Sequence, residues 1–84
     1  MTYKILIVSQ AEKDLKKLDA VVRKKIKAEI IRYSINPYFH SKKLTSSKIG
    51  SYRWRVGKYR VIFDADKEKI IILRIGHRRE IYKK

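Results

Sequence analysis

Positions 3 to 8, YKILIV, form a β-branched and aliphatic run that ends at Ser9, and such a run predicts a strand. Ser9 is followed three positions later by Glu12, an S-x-x-E arrangement that opens helices by reciprocal capping, so a helix is expected to begin there. Ala11, Leu15 and Leu18 recur at helical spacing with charged residues between them, which makes this helix short and amphipathic. Asp19 can cap a second helix in which Val22, Ile26, Ile30 and Tyr33 share a face, and Asn36-Pro37 stops it because proline restricts the residue before it. From Tyr38 to Ser51 the periodicity disappears among serines, lysines and Gly50, so a loop is expected, pinned to the body by Leu44 and Ile49. At Tyr52 the period becomes two: Tyr52, Trp54 and Val56 point one way, Arg53 and Arg55 the other. After a turn at Gly57-Lys58, Tyr59, Val61 and Phe63 repeat the apolar side, while Arg60 and Ile62 repeat the opposite one. Asp64 to Glu68 reads as a polar turn, and Ile70 to Ile75 as a strand apolar on both faces except at Arg74, the pattern of a central strand.

The order β-α-α-β-β-β describes an α+β fold in which a helical hairpin packs on one face of a mainly antiparallel sheet. With 84 residues and no internal repeat, residues 1 to 84 are expected to form a single domain. So small a domain buries only about 60 to 65% of its unfolded surface, which puts any active surface on the sheet or in loops. The charge adds a partner to this picture. Twenty-three Lys and Arg face 8 Asp and Glu, giving +15, an excess that destabilises the compact state by self-repulsion and that a polyanion would relieve. Nucleic acid, an acidic protein and an anionic membrane surface are the candidates, in that order. With no cysteine the fold rests on no disulfide, and Ile5 to Val8 is too short for a signal peptide or a membrane span, so a cytoplasmic protein without membrane attachment is the simplest expectation.

The segment YRWRVGKYRVIF concentrates that charge. Alternation sends its aromatics toward the helices and gathers Arg53, Arg55 and Arg60 on the other face. Solvent faces of antiparallel sheets often carry basic residues that merely discourage aggregation. Here the acidic residues that would balance them sit elsewhere, in the helices and the 64 to 68 turn, and Arg78 and Arg79 extend the patch beyond Gly76, which is expected to break the last strand. The planar fork of arginine favours phosphate as the anion. Trp54 alternates with the arginines and is assigned to the core, and His40 to a solvated loop. Asp64, Asp66 and Glu68 lack His or Cys company and are assigned no metal.

YRWRVGKYRVIF, an acidic turn, an apolar strand and then IGHRREIY together resemble the C-terminal half of the RelE/ParE toxin superfamily; SQAEKDLKKL resembles its first helix and Lys42 to Leu44 its pre-hairpin loop. The likeness is greater to the RelE branch of ribosome-dependent mRNA endonucleases than to the gyrase-inhibiting ParE branch. It implies a toxin that cuts mRNA on the ribosome by attack of the substrate's 2′-hydroxyl, needing no metal or cofactor, and held in check by an acidic antitoxin protein. It also implies catalytic positions at Arg55, Arg60, Arg78 and Tyr82, with RNA bound by Arg53, Lys43, Lys58 and Arg79. The best-known members carry lysines at the two positions matching Arg53 and Arg55; arginine stays protonated, so electrostatic alignment is expected to outweigh proton abstraction there. His77 is the alternative proton carrier because histidine titrates near neutrality. Two further readings stand beside this one: a ParE-like gyrase inhibitor without nuclease activity, and a noncatalytic RNA-binding relative.

Overall fold

The computed structural model describes residues 3–44 and 50–81. Its elements are β1 (Lys4–Ile7), α1 (Ser9–Lys16), α2 (Ala20–Tyr33), β2 (Ser41–Lys43), β3 (Tyr52–Val56), β4 (Tyr59–Asp66) and β5 (Lys69–His77). The five strands form one sheet in the order β1-β5-β4-β3-β2, antiparallel throughout except that β1 runs parallel to β5. The α+β class and the helical hairpin on one face are as expected, and a short strand, β2, is added where a loop was foreseen. Three residues are too few to show alternation, so only the pairing reveals it: Ser41 lies opposite Trp54 and Lys42 opposite Arg53.

Helix boundaries differ by a residue from the capping signals. Val8, not Ser9, occupies the N-cap of α1, with extended backbone and no side-chain capping bond, so the capping box does not form. The cause is the strand before it: Val8 donates its N–H to the Ile72 carbonyl at 3.1 Å, which fixes the last residue on the sheet and makes Ser9 the first helical one. Asp19 does sit at the N-cap of α2, though through its carbonyl, which accepts from Arg23 at 2.9 Å, and not through its carboxylate.

Ala11 and Leu15 from α1 and Ile26 and Ile30 from α2 close over Trp54, Val56, Val61, Phe63, Ile70, Ile72 and Ile75. Trp54 is fully buried as expected, its ring 4.1 Å from that of Phe63 and its indole N–H donating to the Pro37 carbonyl at 3.0 Å. The polar end of the ring is thus satisfied and its apolar body fills the core. Leu44 is half-buried beyond β2, its N–H bonded to the Ser51 carbonyl at 2.8 Å; Ile49 lies outside the described residues.

Three features of the sheet depart from the simple alternation. β4 continues through Asp66, so the turn is reduced to Lys67 and Glu68, with Lys67 at φ 50. Gly76 does not break β5 but pairs with Arg60 inside it. The irregularity falls instead between Ile62 and Phe63, which pair with Arg74 and Ile72 and leave Leu73 as the extra residue of a bulge. Ile62 points away from the helices, yet it is 0% exposed. It is roofed by the backbone at Gly50, where a Cβ would stand 2.8 Å from the Ile62 Cγ2 and 2.9 Å from the Leu73 Cδ1. Only a residue without a side chain lets the chain cross the sheet that closely.

Candidate anion-binding site

The β3–β4 hairpin builds the arginine face. Gly57, at φ +59, supplies the left-handed backbone that a tight turn with Lys58 requires, and the turn sets the register in which Arg55 lies directly opposite Arg60 and Arg53 opposite Ile62. Residues paired this way project to the same side, so Arg53, Arg55 and Arg60 do share a face, away from the helices. Two guanidinium groups on directly opposed residues repel. The structure relieves this by folding Arg60 back: its Nη1 donates to the Gly57 carbonyl at 3.2 Å and to the Tyr59 carbonyl at 3.0 Å, and the residue is only 6% exposed. Arg60 is therefore a fixed, partly desolvated cation seated in the hairpin turn, whereas Arg55 is exposed and Arg53 half-exposed. Sequence alternation finds the side on which Arg60 lies but not its burial, because carbonyls of its own turn solvate it.

The chain after β5 closes onto the same turn. Arg78 donates its N–H to the Lys58 carbonyl at 2.8 Å, and Glu80 and Ile81 donate theirs to the His77 carbonyl at 2.9 and 3.0 Å, so residues 77 to 81 wind into a single turn beside the hairpin tip. Arg78 and Arg79 are exposed there, next to Lys58. Ile81 is buried against Gly76. The structure thus gathers Arg53, Arg55, Arg60, Lys58 and Arg78 around one hairpin; Tyr82 lies outside the described residues.

Two expected members fall elsewhere. Lys43 pairs with Tyr52, so it shares the side of the aromatics, and Lys42, opposite Arg53, is the lysine of β2 on the arginine side. His77 pairs with Tyr59 and meets its ring edge-on at 5.6 Å, on the helix side of the sheet, while Gly76 takes the arginine side. Its Nδ1 accepts the Arg79 N–H at 3.1 Å, which in the neutral ring leaves the proton on Nε2. His77 instead lines a cleft of about 460 Å³ at the edge of β5 with Asp14, Lys17, Tyr59, Arg74 and Glu80.

That edge contains a residue the sequence did not single out. β1 covers β5 only as far as Ile72, so the next outward amide belongs to Ile75. Asp14 of α1, 6% exposed, accepts it with Oδ2 at 2.9 Å, takes the Arg74 Nε on the same oxygen at 2.9 Å, and accepts from Gln10 Nε2 through Oδ1 at 3.1 Å. A charge in the first helix thereby caps the open edge of the last strand and neutralises Arg74, removing it from the basic face. The only hint in sequence is an acidic residue one position before Leu15 on the buried side of α1. At the opposite end of β4, Asp64 accepts the Ser51 N–H at 2.8 Å and so ties down the start of β3. Among the described residues no grouping of His, Cys, Asp or Glu could hold a metal ion, and no helix is long and apolar enough to cross a membrane.

A face of arginines held at fixed spacing, with no carboxylate paired to Arg55 or Arg78 among the described contacts, is suited to binding a phosphodiester and to stabilising charge that grows on it. Comparison with known proteins identifies the family of the chain. Residues 5–82 match the model of the ParE toxin of the type II toxin-antitoxin system parDE. The chain is 35% identical over 83 residues to Toxin RelE3 of Methanocaldococcus jannaschii, covering 94% of each. Its backbone resembles the toxin-antitoxin complex RelBE2 of Mycobacterium tuberculosis with a TM-score of 0.81 at 26% identity, covering 92% of this chain and 99% of the other. It resembles the RelB-RelE antitoxin-toxin complex of Methanococcus jannaschii with a TM-score of 0.72 at 30% identity, covering 93% and 95%. With nearly the whole length matched in sequence and in fold, the chain belongs to the RelE/ParE superfamily of toxins of type II toxin-antitoxin systems.

Proposed function

We propose that this toxin is an endoribonuclease that cuts mRNA in the ribosomal decoding site and is restrained by a cognate acidic antitoxin. The observation that carries the reading is the arginine-lined hairpin stitched to the chain after β5 by the Arg78–Lys58 backbone bond. RNA can cut itself when its 2′-hydroxyl is aligned with the adjacent phosphorus, the added negative charge is stabilised and the departing 5′-oxygen is protonated. In this reading Arg60, immobilised by two carbonyls, holds the scissile phosphate. The exposed guanidinium groups of Arg55 and Arg78 face the charge that develops, and Arg53, Lys42 and Lys58 guide the flanking backbone. Tyr82 is assigned to stack on a base. The site presents arginine where a proton acceptor would be needed, so in this reading water of the ribosomal complex takes the 2′-hydroxyl proton and returns one to the departing 5′-oxygen, while electrostatics carry most of the rate.

The decisive experiment uses ribosome-bound mRNA with a single 2′-deoxy nucleotide at the scissile position. The parent RNA is cleaved in EDTA to leave a 2′,3′-cyclic phosphate, and the substituted one stays intact. Cleavage of the deoxy substrate would end the proposal. One observation favours a second reading: the matching family model is described for ParE toxins, so the basic face could serve association with gyrase without catalysis. Induction in cells separates the two, since truncated messages accompany the first and DNA breaks with SOS induction the second. The antitoxin is inferred from the relatives solved as RelB-RelE complexes and from the +15 charge.

A further inference from the structure

The segment that joins α2 to β2 presents an aromatic ring where folding has no use for one. Pro37 is buried and its carbonyl accepts the Trp54 indole N–H at 3.0 Å, which fixes the start of the segment on the core. Ser41 then returns twice to the Tyr38 carbonyl, with its N–H at 3.3 Å and its hydroxyl at 3.0 Å, and so closes a tight turn with Phe39 and His40 at its centre. Turns favour Gly, Asn, Asp and Ser, each for a backbone reason that phenylalanine does not share. Phe39 nevertheless stands there at 78% exposure, more than any other large apolar residue described, and an exposed ring adds little to stability. His40 is exposed as well, its ring stacked on that of Tyr33 at 4.5 Å and met edge-on by Phe39 at 5.1 Å. The rings are thus held in place by a turn that is itself pinned to the core.

This turn lies at the rim of the arginine face. Ser41 opens β2 opposite Trp54, so the chain enters the sheet alongside Arg55, and the Tyr33 hydroxyl donates to the Arg55 carbonyl at 3.4 Å. Lys42, two positions after His40, lies opposite Arg53 on the arginine side. No Asp or Glu stands between Glu29 and Asp64 in the sequence, and Glu29 is already paired with Arg32 at 2.7 Å. Arg32 in turn lies over the Tyr33 ring, 4.9 Å from its centre. Aromatic rings and cations therefore meet at one corner of the molecule without a free carboxylate beside them.

We infer that Phe39, backed by His40 and Tyr33, is a stacking platform for a base of a single-stranded nucleic acid whose phosphates run onto the arginine face at Lys42 and Arg55. The chemistry selects this ligand. A nucleotide brings a π-face for the exposed ring and a phosphate for the cations beside it, so one residue of the strand meets both halves of the site. A second copy of this chain would set positive charge against positive charge. An acidic aliphatic peptide would satisfy the cations and leave Phe39 and His40 without a flat partner. Stacking tolerates any base, so the platform sets the register of the strand and not its sequence. The inference rests on the endoribonuclease reading only for calling that strand mRNA.

The test measures binding of a 2′-O-methyl RNA of about eight nucleotides, which cannot be cut by its own 2′-hydroxyl, to the parent and to variants at Phe39. Phe39→Ala and Phe39→Leu are each expected to weaken binding about fivefold or more, and Phe39→Trp to match or exceed the parent. Leucine keeps the apolar volume and lacks the flat face, so its loss separates stacking from burial. Thermal unfolding should stay unchanged, because the ring is exposed. The salt dependence should keep its slope in every variant, since no phosphate contact is lost. Replacing one nucleotide at a time by an abasic one should reveal a position whose base matters to the parent and no longer matters to Phe39→Ala. Phe39→Leu binding like the parent, or abasic penalties equal in the two proteins at every position, would overturn the inference. So would self-association of the parent that Phe39→Ala abolishes, or no binding of the RNA by the parent at all. Cleavage on ribosomes is read separately: its absence with the abasic effect intact removes the nuclease reading alone, and the reverse result removes only the stacking site.

Discussion

Arg60 and Arg78 differ in how they are held, and in the proposed nuclease reaction that difference would separate binding from chemistry. Arg60 is seated on two carbonyls of its own turn, whereas Arg78 is anchored by its backbone and extends its guanidinium into solvent. Arg78→Ala is therefore expected to lower the single-turnover cleavage rate far more than it weakens binding to ribosomes, and equal fractional losses would remove the assignment. Asp14 makes its contribution through the fold. Asp14→Ala leaves the Ile75 amide without its acceptor, at a cost of about 1 to 3 kcal/mol, which in a domain of this size lowers Tm by about 4 to 8 °C per kcal/mol. Asp14→Asn keeps an acceptor oxygen and should lose less; equal losses would show that charge, not the hydrogen bond, is what Asp14 supplies. On α2, the bidentate hydrogen bonds from Arg32 hold the Glu29 carboxyl well below its ordinary value near 4.5, to about 2. Because the folded value is the lower one, the ion pair contributes above the unfolded value and is lost as pH falls from about 4.5 toward about 2. A side-chain NMR titration should show this depressed midpoint in the parent and a return to the ordinary carboxylate range in Arg32→Ala.

Two turns give opposite responses to glycine. Gly57 at φ +59 needs no side chain, and its carbonyl is one of the seats of Arg60. Gly57→Ala should cost about 1 to 2 kcal/mol and disturb Arg60 as well. Lys67, at φ 50, carries a side chain in the same left-handed region, so Lys67→Gly should stabilise the β4–β5 turn by up to about 1 kcal/mol. Thermal unfolding of the two variants tests both signs together. These turns also mark what the sequence could reveal. Gly57-Lys58 announced itself because glycine is the residue such a turn favours, and period two on either side then gave the arginine side correctly. Lys67 carries no such signal, so the polar run from Asp64 hides where the turn begins. β2 is too short for alternation to show, so nothing in its sequence tells that Lys42 and not Lys43 lies opposite Arg53. A glycine inside a strand often marks a break, yet Gly76 stays paired with Arg60 and the irregularity lies at Leu73, where the sequence carries no signal.

At the scale of the whole molecule, the proposed RNA binding by a +15 chain should depend strongly on salt. If Arg53, Arg55, Arg60, Arg78, Lys42 and Lys58 each neutralise one phosphate of a single strand, log K should fall with log salt at a slope of about −4, a loss of about three-hundredfold between 50 and 200 mM. Arg55→Ala should make the slope shallower by about 0.7; an unchanged slope would place Arg55 outside the contact. The last consequence comes from the one parallel pairing. Among the described residues β1 pairs with no strand but the much later β5: Lys4 lies opposite Lys69 and Ile7 opposite Ile72. Asp14 likewise waits for Arg74 and Ile75. During synthesis the first strand and the first helix emerge with nothing to close against until the last strand has followed them, and the turn that positions Arg78 comes later still. The domain cannot fold piecemeal from its N-terminus. Its basic face is completed only after Arg78 has been made and the turn behind β5 has closed on Lys58, so a nascent chain lacks its full set of arginines until then.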